Sequence, residues 1–159
     1  MQTNEAARIA QQMHFAQNGA SWHGPNLEEI LDGINAEQAA SHPIEGAHSI
    51  WELVLHIKAW RDFGWAMLRG QPGYDPDVDL SLNFPPTPAV NAENWQQSQR
   101  ELQESCERLA KLLAEKGDEL LSQKVPSRKY DFYKLLHGIV QHDLYHAGQI
   151  ILLKKMLQV

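Results

Sequence analysis

The chain has 159 residues and a net charge of −6, with 43% hydrophobic and 21% charged residues. This composition suits one globular domain over residues 1–159, and the acidic balance, with no Lys/Arg stripe, argues against nucleic-acid binding. No apolar run approaches the length of a membrane span, and the single cysteine, Cys106, excludes an internal disulfide. The first residues lack the basic and apolar regions of a signal peptide, so none is expected. We therefore expect a cytoplasmic protein that is not inserted in a membrane.

Two helices are predicted in the N-terminal part of the chain. The first runs over about residues 3–17, and the glycine-containing segment 18–24 then breaks the helical pattern. Pro25 suits the first position of the second helix, which ends near residues 33–35. His23 lies in the break between the helices, and we keep it as a candidate pocket residue because loops often carry such residues.

The next predicted helix, residues 49–69, begins with a serine–glutamate capping box that includes Glu52. At ~100° per residue, His56 falls on the same stripe as Trp60 and Phe63. An imidazole therefore points toward the apolar side of this helix. Glu52 has its ordinary role in the cap, and the alternative is a carboxylate that supports a site or faces a substrate.

Residues 70–90 form a proline-rich connection, long enough to let two consecutive helices run parallel. Its alternating aspartates lack the glycine and glutamate of a calcium loop, so we expect them to be solvated: Asp75, Asp77 and Asp79. A helix follows over residues 91–116. Cys106 lies on its apolar face and is interpreted as a core residue, not a nucleophile.

The closing helix is predicted over residues 131–157, and in it His142 and His146 lie one turn apart within an apolar stripe. Burying two imidazoles costs free energy unless both are hydrogen-bonded or bound to something. The segment resembles the zincin motif, but Asp143 is shorter than the usual glutamate base and no third ligand follows His146. Asp143 is expected either to orient a ligand or to face solvent.

Three histidines, His56, His142 and His146, are thus predicted to point inward from two helices. Three neutral imidazoles bind a borderline divalent ion well and leave positions open for water or substrate. The alternative is that they are satisfied core histidines without a metal. The remaining histidines fit a shared site less well.

Residues 48–62 and 141–149 resemble the DinB/YfiT-like superfamily, and the similarity extends over most of the chain in order and spacing. The resemblance implies an all-α four-helix bundle with up-down-down-up topology, here with an extra N-terminal helical segment. Its metal triad maps onto His56, His142 and His146. It also implies one nickel or zinc ion per chain and a homodimer.

For several members, the resemblance implies metal-dependent transfer of a low-molecular-weight thiol to a small electrophile. Two other functions stay open, a metal-dependent hydrolase and a non-catalytic bundle that the metal stabilises. Trp60, Phe63 and Tyr145 are expected to line the substrate mouth. No general base is evident, and the candidates for a catalytic role are Glu52, His23 and Tyr145.

Overall fold

Four long helices build the fold in the computed structural model, which describes residues 4–158. They are α1 (Glu5–Gln17), α4 (Ile50–Leu68), α6 (Ala92–Lys116) and α7 (Phe132–Leu157), and the shorter elements are α2 (Leu27–Leu31), α3 (Ala36–Ala40), α5 (Leu80–Asn83) and a 3₁₀ helix (Asp118–Leu120). The all-α prediction is confirmed. Across residues 4–158, every helix is too short or too polar to cross a lipid bilayer.

The second and third long helices, α4 and α6, run parallel. Trp51 near the start of α4 donates to Ser98 near the start of α6. Asp62, farther along α4, pairs with Arg108, farther along α6. The connection between these helices therefore crosses from one end of the bundle to the other, as its length predicts.

The first and last long helices, α1 and α7, which we call the outer pair, run in the opposite direction to α4 and α6. Ala6 at the start of α1 donates its backbone N–H to Asp118, just beyond the end of α6. In α4 and α7, His56 from the first half of one helix lies beside His146 from the second half of the other. Both outer helices are thus antiparallel to the central pair, which confirms the up-down-down-up topology. The extra helical segment consists of α2 and α3, which follow α1.

Side-chain caps fix the starts of the long helices. Ser49 Oγ accepts from Glu52 N at 3.1 Å, and the Glu52 carboxylate accepts from Ser49 N at 2.7 Å. At the starts of α6 and α7, Asn91 and Asp131 accept from the backbone N–H three residues on, without the reciprocal bond of a capping box. Gly117 ends α6 at a φ of 72°, which glycine adopts without steric cost. These predicted boundaries are confirmed.

The N-terminal region differs from the prediction in two places. Helix α2 begins after Asn26, which forms a capping box with Glu29, so Pro25 precedes the cap instead of opening the helix. A second capping box, Asn35 with Gln38, starts α3 in the interval between the second and third predicted helices, where no helix was predicted. Both boxes are visible in the sequence as Asn-x-x-Glu and Asn-x-x-Gln. The expected helix start at Thr3 lies outside the described residues.

The crossover connection is tied to the bundle by an ion pair. Arg128 Nη2 donates to both carboxylate oxygens of Asp75, at 2.6 and 2.7 Å. The expectation of solvation is therefore wrong for Asp75, which is buried. Asp79 caps α5 within the same connection. These contacts give the crossover connection a defined conformation against the helices.

Helices α4 and α7 approach each other closely at Gly64. A β-carbon on Gly64 would lie 2.5 Å from Ile139 Cδ1, which is well inside van der Waals contact. The absent side chain therefore lets the two helices pack tightly. This close packing brings His56 of α4 within reach of His142 of α7.

Candidate metal centre

Three histidine side chains meet between α4 and α7. His56 Nε2 lies 2.9 Å from His142 Nε2, and His146 Nε2 lies 3.1 Å from the same atom. One ligand atom from each of the three rings lies within 4.8 Å of the other two. The predicted convergence of three imidazoles from two helices is confirmed.

The outer nitrogens of two rings are held by hydrogen-bond acceptors. His56 Nδ1 donates to the Asn83 carbonyl oxygen at 2.7 Å, and His146 Nδ1 donates to Gln149 Oε1 at 2.8 Å. In each neutral ring the proton is therefore on Nδ1, and the Nε2 lone pair faces the centre. This is the arrangement that metal-binding histidines use, since an outer acceptor fixes the tautomer and the ring orientation.

The contacts at His142 Nε2 are more than hydrogen bonding between neutral rings can satisfy. A neutral His142 has one N–H and can donate fully to only one of its two close Nε2 neighbours. The other neighbour is then left without a donor. If the His142 proton is on Nδ1 instead, the Nε2 lone pair of His142 faces the lone pairs of both neighbours, at 2.9 and 3.1 Å. A shared cation would satisfy all three lone pairs, so the donor set fits a divalent metal ion such as zinc or nickel.

The environment keeps the three imidazoles neutral. Burial lowers the pKa of His56 to about 4, against the effect of its bond to the Asn83 carbonyl. Burial also lowers the pKa of His142 to about 3 and lowers that of His146. Because a proton and a metal ion compete for the same lone pair, neutral rings at pH 7 are ready for coordination.

The crossover connection covers one side of the triad. The Phe84 ring stacks on the His56 ring with centroids 4.1 Å apart, and on its other side stacks on His48 at 3.8 Å. Asn83 Oδ1 accepts from Trp60 Nε1 at 3.0 Å. Sequence reasoning missed both Asn83 and Phe84, because the connection has no periodic pattern that aims a side chain at a site.

The family model described as the DinB superfamily matches residues 20–150. The chain belongs to the DinB superfamily. All three histidines lie within the matched range. Among curated proteins and among solved structures, no match to the chain was found.

In this DinB-superfamily chain the candidate general bases lie in different places. Glu52 accepts from the Ser49 backbone and contacts His42 Nε2 at 3.1 Å and His48 Nδ1 at 3.4 Å, so its role in the cap is confirmed. His23 is exposed and borders a separate groove between α1 and α7. Tyr145 is 65% exposed, and its ring meets His146 edge-on at 4.9 Å.

Two further residues are placed otherwise than expected. Phe63 is fully buried and packs behind Trp60 with ring centroids 5.5 Å apart, so its ring belongs to the core instead of the substrate mouth. Asp143 does not face solvent, because Arg61 binds its carboxylate inside the bundle. Its other oxygen lies 4.0 Å from His142 Nδ1, too far for a hydrogen bond.

An apolar groove of the DinB-superfamily chain opens beside the triad, and we name it the α7 groove. It encloses about 260 Å³ and shares one wall with the metal centre, because the ring of His142 forms part of both. The groove is lined by Trp60, Tyr130, Lys134, Leu135, Gly138, Ile139 and His142.

Proposed function

We propose that the chain binds one divalent ion, nickel or zinc, through His56, His142 and His146 and transfers a low-molecular-weight thiol to a small electrophile. The observation that carries the proposal is the convergence of the three Nε2 atoms at 2.9 and 3.1 Å, with two outer nitrogens held by acceptors. When bound, such an ion supplies Lewis acidity that lowers the pKa of a coordinating thiol.

The spacing of the nitrogens supports a metal site. At zinc–nitrogen distances of ~2.0–2.1 Å, tetrahedral ligands lie ~3.3 Å apart. The Nε2 separations of 2.9 and 3.1 Å differ from this value by only a few tenths of an ångström. The third pair, His56 and His146, offers ligand atoms within 4.8 Å of each other, so binding would require side-chain rotations that set this separation as well. A three-ligand set leaves room for a substrate atom.

The surroundings of the triad favour thiol transfer over hydrolysis. Hydrolysis at a metal normally uses a carboxylate or histidine as general base beside the ion. In the part of the chain that the structure describes, no fourth His, Cys, Asp or Glu joins the converging group. Glu52, the acidic candidate, is already held by Ser49 and His42. A thiol with a lowered pKa ionises near neutral pH and needs no such base.

The thiol has to come from outside the protein. Cys106, the one cysteine of the chain, is buried in the core, where burial raises the pKa of its thiol to about 11. It cannot supply a thiolate at neutral pH. A small thiol cosubstrate fits this requirement. The proposal also includes a cytoplasmic location and a homodimer. Light scattering on the purified protein measures the oligomeric state.

Metal binding is tested on protein purified without an affinity tag, by elemental analysis and by titration with zinc and nickel. We expect one equivalent of metal per chain in the wild type and its loss in His56→Ala, His142→Ala and His146→Ala. His137→Ala is the matched control, since His137 lies on α7 outside the triad. Wild-type protein that binds no metal would overturn the proposal.

Thiol transfer is tested by incubating the metal-loaded protein with bacillithiol, mycothiol or glutathione and a small electrophile. We expect a conjugate with at least one thiol, abolished by a chelator and by His56→Ala. Metal binding without any conjugate would rule out the transferase. Turnover of esters or amides without added thiol would then support the hydrolase, and the absence of any turnover would support the metal-stabilised bundle.

A further inference from the structure

We propose that the α7 groove binds a small flat ring carrying one negative charge, and that Gly138 sets the size of the ring it accepts. The idea that the groove binds the electrophile rests on the proposed thiol transfer. The idea that it binds a ligand at all rests only on the geometry of the groove. The two are separated by the experiment below, because ligand binding is measured with and without metal.

The walls of the groove suit an aromatic ligand. Trp60 and Tyr130 contribute aromatic surfaces, and Leu135 and Ile139 contribute aliphatic ones. Its volume of about 260 Å³ is slightly below the ~300 Å³ at which pockets for drug-sized ligands begin. One ring, or two fused rings, is therefore the size that fits. Aromatic walls favour flat ligands because rings stack on one another.

The aromatic wall is held in place before any ligand arrives. Trp60 Nε1 donates to Asn83 Oδ1 at 3.0 Å, which fixes the orientation of the indole. The ring of His142 lies 5.9 Å from that of Trp60, centroid to centroid. A ligand against Trp60 therefore also lies against His142, which places it next to the triad. A preformed wall lowers the entropic cost of binding.

Lys134 gives the groove its charge preference. Among the residues that line the groove, it is the one Lys, Arg, Asp or Glu. Its ammonium lies 5.8 Å from the centre of the Tyr130 ring. Within residues 4–158, its ammonium forms no salt bridge. In a chain with a net charge of −6, this local cation favours an anionic ligand.

Gly138 leaves the space that the ring would occupy. It lines the groove from α7, and a β-carbon built on it would contact nothing within 4 Å. Its backbone is helical, with no positive φ that would require glycine. A larger side chain there would therefore enter the groove without straining the helix. Gly148, on the same helix, also has open space around it but does not line the groove.

The test measures binding of 2-naphthoate by titration calorimetry to metal-free and to zinc-loaded protein. We expect Gly138→Leu to weaken binding by about tenfold or more, because its side chain occupies the volume of the ring. Gly148→Leu is the matched control and should leave the dissociation constant unchanged. Lys134→Gln should weaken 2-naphthoate several-fold and leave the neutral 2-naphthamide unaffected.

The outcomes separate this proposal from the proposed function. Binding of 2-naphthoate to metal-free protein that responds to Gly138→Leu supports the groove even where metal binding fails. A protein that binds zinc but not 2-naphthoate, or binds it equally well as Gly138→Leu, overturns the groove alone. Thermal melting checks that each variant folds. If Gly138→Leu does not fold, Gly138→Ala replaces it in the test and should weaken binding by a smaller factor.

Discussion

Arg61 of α4 and Asp143 of α7 form an ion pair in the interior of the bundle. Arg61 Nε and Nη2 lie 3.0 and 2.9 Å from Asp143 Oδ2, and the two side chains are 1% and 0% exposed. Arg61 also donates to the Gln17 side chain and to the Leu102 carbonyl. One guanidinium thereby connects all four long helices, directly beside the metal centre.

We expect Asp143→Ala to lower the free energy of unfolding by roughly 3–5 kcal/mol, because it leaves the Arg61 charge buried without its partner. Urea denaturation of the purified variant measures the change. The double variant Arg61→Met/Asp143→Leu should recover much of the loss, since neither charge remains. Arg8→Ala, which removes an exposed pair with Glu5, is the control and should change stability by less than about 1 kcal/mol. A loss of under ~1 kcal/mol in Asp143→Ala would contradict the interpretation.

The buried imidazoles of the triad should make the stability of the metal-free protein depend on pH. In the unfolded chain a histidine takes up its proton near pH ~6.5, whereas burial lowers the pKa of folded His56 to about 4 and that of folded His142 to about 3. Between these values the unfolded state binds protons that the folded state does not. Stability should therefore be highest above pH ~6.5 and fall as the pH drops toward 4.

Urea denaturation at several pH values, with a chelator present, measures this dependence. For His56 alone the loss at pH 4 is up to roughly 3 kcal/mol. His56→Asn should remove its share of the dependence. An identical slope in wild type and His56→Asn would mean that His56 titrates normally in the folded protein.

Asn83 makes two contacts through different groups, and one substitution separates them. In Asn83→Ala the backbone carbonyl that holds His56 Nδ1 remains, but the side-chain acceptor for Trp60 Nε1 is lost. We expect zinc affinity to change little, whereas the tryptophan fluorescence shifts as the indole becomes mobile. Because the chain has five tryptophans, the same substitution is repeated in a Trp60→Phe background. A spectral shift that persists there would show that Asn83 acts elsewhere.

The thiol of Cys106 should be inert in the folded protein. Its pKa of about 11 and its buried position leave almost no accessible thiolate at pH 8. We expect reaction with a disulfide reagent to be at least about a hundredfold slower than that of a free thiol. In urea the rate should become normal. Fast labelling of the native protein would contradict the interpretation of Cys106 as a core residue and would weaken the argument for an external thiol.

Local sequence signals were enough to predict most of the helices and the inward orientation of the three histidines. Caps such as Asp131, and the spacing of His142 and His146, act over one turn of helix, so they can be predicted without knowing the neighbours. The capping boxes that start α2 and α3 were also local signals, although the prediction did not use them. The position of His56 on the buried face of α4 was likewise predicted from the helical periodicity.

Tertiary packing alone decided what surrounds the histidines. Phe84 and Asn83 reach His56 from a connection without periodicity, and Arg61 meets Asp143 across 82 positions of the sequence. Such contacts depend on how long segments pack against one another, and no spacing rule within one helix specifies them. The α7 groove has the same origin, because its walls come from separate segments of the chain and its open space exists only once they have packed.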